Sequence, residues 1–148
     1  KNFTMRTGGR TFEAAAFLRR AGADTAEVKR LFQNDLEGTI AKYSIIQNAK
    51  MYREGIAVAV VDHTVGRITA AQAADELLNI IGIDTSFVLY PDGDRVIVSA
   101  RSIGEVNVQV ILGGGGNAAA AGGQIPDKSL TQVAQELAQA IDQYLEDE

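Results

Sequence analysis

TSFVLYPDGDRVIVSARS, from Thr85 to Ser102, is the stretch on which the fold turns. Two runs rich in β-branched and aromatic residues, TSFVLY and DRVIVSAR, are separated by Pro-Asp-Gly-Asp, a strong signal for a hairpin turn. The spacing predicts two antiparallel strands. Upstream, GIAVAVVD (Gly55–Asp62) is a short β-branched run without polar alternation, as expected of a strand buried on both faces. Between them, AAQAADELLNIIG (Ala70–Gly82) reads as a helix with Ala74, Leu77, Leu78 and Ile81 inward and Gly82 as its stop. Downstream, VNVQVIL (Val106–Leu112) is a short apolar segment. SLTQVAQELAQAIDQYLEDE (Ser129–Glu148) then closes the chain as an amphipathic helix, with Leu130, Val133, Leu137, Ile141 and Leu145 on one side. The expected fold class is α/β, a mixed sheet flanked by helices.

Ahead of Gly55 the pattern is helical. RTFEAAAFLRRAG (Arg10–Gly22) is rich in helix formers, with Thr11 as a cap and Gly22 as a stop. Asp24 or Thr25 can cap AEVKRLF, and Asp35 can cap a longer helix reaching about Arg53, in which Leu36, Ile40, Tyr43 and Ala49 recur at helical intervals. This divides the chain into a helical arm over 1–54 and a sheet-bearing domain over 55–148.

The bulk numbers exclude several classes. With 148 residues and 46% hydrophobic content, one well-buried core is affordable. Lys and Arg number 14 against 19 Asp and Glu, a net charge of −5, so no general basic field exists to attract duplex nucleic acid or an anionic membrane. Any anion must be met locally. The absence of cysteine removes disulfide, thiol and zinc-thiolate chemistry. No apolar run approaches the roughly 18 residues of a membrane span, and no signal peptide is visible. The chain opens at Lys1 in KNFTMRTGGR, which reads as a piece of something longer.

VILGGGGNAAAAGGQIP (Val110–Pro126) is the unusual segment. Each glycine inside a regular element costs about 0.5–1 kcal/mol relative to alanine, so the run needs a compensating interaction close to its backbone. Consecutive glycines can turn bare amides toward an anion, and a helix starting at about Asn117 would add its positive end. A flexible connector is the competing reading. The run is neither a Walker A loop, since no Lys-Ser or Lys-Thr follows, nor a Rossmann fingerprint, whose spacing and preceding strand it lacks.

Arg101 and Ser102 end the strand RVIVSARS, where a guanidinium could fork onto a phosphate and a hydroxyl add one hydrogen bond. A surface arginine at a strand end explains the same residues. Arg6, Thr7 and Arg10 flank Gly8 and Gly9 as a second conceivable anion contact, or as the lead-in to the first helix. His63 beside Asp62 is the sole histidine and reads as a solvated turn residue, because metal sites need several converging donors. Metal-dependent phosphodiester hydrolysis requires clustered Asp and His, which this chain does not offer, so no catalytic or metal-ligating residue is expected in it.

SARSIGEVNVQVI followed by GGGGNAAAAGGQI resembles the signature of the DHH-associated domain found at the end of DHH phosphoesterases. KNFTMRTGGRTFEAAAFLRRAGADTAEVKRLF is similar to the end of a DHH domain and the linker helix in GdpP-type cyclic-di-AMP phosphodiesterases of Gram-positive bacteria. The resemblance implies a helical arm, 1–54, from the end of the DHH domain and a substrate-binding domain over 55–148. It implies a full-length hydrolase in which a DHH half, outside this chain, holds two manganese ions and a metal-bound hydroxide cleaves cyclic di-AMP to pApA. On matching positions, Arg101, Ser102, Gly113, Gly114, Gly115, Gly116 and Asn117 would hold the nucleotide. Asn117 stands where the family usually places histidine, and it can hydrogen-bond a phosphate but carry no charge. The resemblance further implies anchoring at the cytoplasmic face of the cell membrane in the full-length protein and, for this chain alone, no activity. A DHH oligoribonuclease acting on very short RNA and a non-catalytic nucleotide-binding or homodimerisation module are the alternatives.

Overall fold

The computed structural model describes residues 35–147. The expected helices within Arg10–Phe32 and the contacts suggested for Arg6, Thr7 and Arg10 lie outside them.

Helix α1 (Leu36–Gln47) leads into strand β1 (Ala49–Arg53), which pairs antiparallel with β2 (Gly55–Val60). The helix expected to continue to Arg53 therefore stops six residues earlier. Asn48 takes the turn, its backbone N–H donating to the Ile45 carbonyl and its side-chain amide to that of Ser44. Helical spacing runs through Ala49, but Ala49, Lys50, Met51 and Arg53 find ladder partners on β2, and strand pairing is set by the partner rather than by local preference.

Helix α2 (Arg67–Leu77) crosses from β2 to β3 (Ile83–Asp92), and β2 and β3 run parallel. This helix begins before Ala70 and ends before Gly82. Its inward face is Ala70, Ala73, Ala74 and Leu77, while Ile81, expected to point inward, lies in the following turn and is fully exposed. The hairpin forms as expected: β3 and β4 (Arg95–Ser102) pair from Thr85↔Ser102 to Asp92↔Arg95 across Gly93 and Asp94. Gly93 has φ of 66° at the first central position, which a side chain would disfavour.

After β4 come a five-residue helix, α3 (Val108–Leu112), then β5 (Ala120–Pro126) and the closing helix α4 (Leu130–Glu146). The sheet order is β1-β2-β3-β4-β5, antiparallel except for β2 and β3. This is the mixed α/β sheet expected.

Strand alternation sends neighbouring side chains to opposite faces. On one face Phe87, Leu89, Val96, Val98 and Ala100 pack against Val108 and Ile111 of α3 and Val133, Leu137 and Ile141 of α4. On the other, Val88, Tyr90 and Ile97 pack against Ile45 of α1 and the alanine face of α2. Ser129 caps α4 by accepting the Gln132 N–H at 3.1 Å. Asp142 of α4 accepts hydrogen bonds from Tyr52 Oη at 2.7 Å and Arg53 Nε at 3.1 Å, tying the end of β1 to that helix.

Candidate functional site

The two faces of the sheet are not covered equally. Beside α2, above β4 and β5, a groove of about 540 Å³ opens. Its polar lining comes from Arg67 at the start of α2, Ser99 and Arg101 on β4, and Gln124 on β5. Tyr90 and Ile97 lie beneath, and Ile68, 74% exposed, stands at the side. Two arginines and no carboxylate line this groove, in a chain whose net charge is −5. The lining itself is thus basic although the chain as a whole is acidic.

Arg101 is held from two sides. Its Nε lies 3.1 Å from Oδ1 of Asp75 on α2, and its Nη1 donates to the Ala100 carbonyl at 2.8 Å, with Ser99 Oγ farther off at 3.5 Å. Asp75 Oδ1 is buried and accepts no well-aligned hydrogen bond, so the contact is an ion pair rather than a directed bond. Burial lifts the Asp75 carboxyl above its ordinary range, and the Arg101 charge opposes this without cancelling it.

Gly115 lines the same groove, so the glycine run and Arg101 come together in space. The run does not precede a helix, however. Gly113, with φ of 81°, ends α3, its N–H donating to the Gln109 and Val110 carbonyls, and the Gly114 N–H donates to Gln109. Asn117 accepts the N–H groups of Ala119 and Ala120 on its Oδ1, at 2.9 and 3.0 Å, and turns the chain into β5. The helix expected from Asn117 is instead an edge strand, because Ala120 to Pro126 pair with β4 from Arg101 to Arg95.

The loop also folds back on that strand. Gly122 N–H donates to the Gly115 carbonyl at 2.8 Å and Asn117 N–H to the Ala120 carbonyl at 2.7 Å, a one-residue bridge between Gly116 and Ala121. A Cβ on Gly115 would collide with the Gly122 carbonyl oxygen, and one on Gly116 with that of Ala120. Close approach of the chain to its own backbone thus explains these two glycines. The amides of Gly113, Gly114 and Asn117 are spent internally, whereas those of Gly115 and Gly116 enter none of these bonds.

Ser102 faces away from the groove. It is buried on the α3 and α4 side, where its Oγ lies 3.3 Å from Thr85 Oγ1 and accepts the Gly104 N–H at 3.3 Å. His63 sits in an exposed turn 3.1 Å from Asp62.

The DHHA1 domain model matches residues 53–147. This chain belongs to that family. It is 41% identical over 150 residues to the cyclic-di-AMP phosphodiesterase PdeA of Listeria monocytogenes, covering 97% of this chain and 23% of the relative. To the cyclic-di-AMP phosphodiesterase GdpP of Geobacillus thermodenitrificans it is 41% identical over 152 residues, covering 99% of this chain and 23% of that one. The chain therefore spans about a quarter of the length of these curated relatives. An exopolyphosphatase-related protein from Bacteroides fragilis shares the fold, with a TM-score of 0.75 and 18% identity over 96% of this chain and 48% of that one.

Within the DHHA1 domain, sequence reasoning missed Arg67, Ser99 and Gln124. Ser99 was legible, since it lies two residues before Arg101 on the same strand face. Arg67 and Gln124 carried no local signal, because helix crossing and edge pairing bring them in. Among the described residues no group of three His, Cys, Asp or Glu could hold a metal ion, so no step through manganese is assigned to this chain. No described helix is long and apolar enough to cross a membrane.

Proposed function

We propose that this chain is the substrate-binding part of a phosphodiesterase that hydrolyses cyclic di-AMP to pApA, and that the groove beside α2 receives the dinucleotide. The name carried by the two curated relatives supports the substrate. The observation that carries the site is Arg101 on a carboxylate-free groove shared with Gly115. Arg101 and the amides of Gly115 and Gly116 are the direct phosphate contacts in this reading. Gly113, Gly114 and Asn117 shape the loop, and Ser102 braces the strand end. The first part of the chain belongs to the end of a DHH domain and its linker, and the binding domain includes β1 and the Ile45 end of α1 as well as residues 55–148, because β1 is a strand of its sheet and Ile45 part of its core. The manganese ligands lie in the remainder of that DHH half, so this chain alone binds without hydrolysing. Anchoring at the cytoplasmic face of the membrane and homodimerisation belong to the longer protein in this reading.

Calorimetric titration of the chain with cyclic di-AMP and with pApA tests the reading. Arg101→Ala is expected to weaken binding by about 1.5–3 kcal/mol, the scale of a hydrogen bond to a charged group. Identical isotherms for the two proteins remove Arg101 from the site. Manganese is expected to leave the thermal melt of the chain unchanged, and a clear upward shift would reveal a metal site.

A further inference from the structure

A carboxylate beside a phosphate-binding arginine is, on charge alone, unfavourable: it repels the same anion that the guanidinium attracts. Asp75 nevertheless stands 3.1 Å from Arg101 Nε, with its Oδ1 buried. It comes from a different element, α2, and is not among the residues lining the groove, whereas Arg101 is. The guanidinium is a rigid planar fork, so fixing two of its nitrogens fixes the third. Asp75 engages Nε and the Ala100 carbonyl engages Nη1, while Nη2 takes no partner among the described residues.

We propose that Asp75 is a positioning residue, which holds the Arg101 guanidinium so that Nη2 is presented to a phosphate of the dinucleotide in the groove. This inference rests on the groove reading above and adds a residue to it. Without Asp75, the arginine stem regains rotamer freedom that the ligand must then remove on binding. Anchoring offsets the electrostatic penalty of the nearby carboxylate. The same logic explains why the carboxylate comes from a helix packed on the sheet. Ala70, Ala73, Ala74 and Leu77 hold α2 against β3 and β4, which makes Asp75 a fixed point rather than a mobile surface acid.

The sign of one substitution separates this role from a purely electrostatic one. If Asp75 acts only as a charge, Asp75→Ala tightens binding of an anion. If it positions Arg101, Asp75→Ala weakens it. The test is calorimetric titration of the 148-residue chain with pApA, with thermal melts to verify folding. Asp75→Ala is expected to weaken binding about two- to tenfold, the scale of one immobilised side chain. Asp75→Asn, which keeps the shape and loses the charge of the ion pair, weakens binding by a similar factor, whereas a purely electrostatic role predicts tighter binding. In the Arg101→Ala background, Asp75→Ala no longer weakens binding, because the side chain it positions is gone and only the repulsion of the anion remains to be relieved. Should Asp75→Ala fail to melt cooperatively, Asp75→Ser carries the same comparison. Affinity unchanged or tighter in Asp75→Ala, with Arg101→Ala clearly weaker, overturns the positioning role and leaves the groove intact. Unchanged affinity in Arg101→Ala overturns the groove itself, and this inference with it.

Discussion

The two faces of the sheet use the same strands for opposite ends. Toward α3 and α4, alternate residues of β3 and β4 are buried, the hydrophobes Phe87, Leu89, Val96, Val98 and Ala100 and, at one end, the hydroxyls of Thr85 and Ser102. Toward α2, the same strands carry Val88, Tyr90 and Ile97 under the helix and then Ser99 and Arg101 beyond it, opposite Gly122 and Ala120 of β5. One face is closed and holds the fold. The other is left open where small and polar residues replace large ones, and there the arginine-lined groove lies. The proposed binding role thus falls on the face that is only partly covered.

Substitutions that respect this division should behave differently by face. Phe87→Ala, at a fully buried site on the closed face, should cost about 3–5 kcal/mol in urea unfolding, whereas Ser99→Ala on the open face should stay within about 0.5 kcal/mol. Equal losses at the two positions would end the separation. Next in size is the glycine loop. Gly115→Ala meets both a φ of 78° and a collision with the Gly122 carbonyl, so it should cost more than about 1 kcal/mol, while Gly123→Ala meets open space without positive φ and should be nearly silent. Asn117→Ala removes an acceptor from two backbone N–H groups and should cost about 1 kcal/mol in the same assay.

The smallest effect is a pH slope. Burial raises the Asp75 carboxyl above its ordinary range, so the folded chain keeps that proton where the unfolded chain has released it. The stability this contributes is fully present below the ordinary carboxylate pKa. It is lost as pH rises from that value through the raised one. Asp75→Asn should flatten the slope of melting temperature over that window and leave the rest of the profile alone. Because the side chain is 45% exposed, the change is modest.

Much of this was legible in the residues. The hairpin around Gly93 and the apolar side of α4 follow from spacing and turn chemistry, while the pairing of Arg101 with the glycine run was implied by the family resemblance. Ser102 was grouped with Arg101 because it is adjacent in sequence, yet period-two alternation alone sends it to the opposite face. Ala49 to Arg53 and Ala118 to Ala121 read as helical. In the first case four of the five residues, all but Tyr52, and in the second Ala120 and Ala121, instead pair along a neighbouring strand. Local preference is worth tenths of a kcal/mol per residue, and a ladder supplied by β2 or β4 overrides it.

By itself, the sequence determined the strand and helix types wherever apolar spacing was strong, because those patterns reflect which side chains must leave water. Tertiary structure decided which ambiguous segments became edge strands, which side of the sheet each polar group faced, and that Asp75 of α2 would meet Arg101 of β4. These outcomes depend on a neighbouring strand that offers its ladder, on a pleat shared between strands, or on a contact across the 26 residues from Asp75 to Arg101, and local preference contains none of that information.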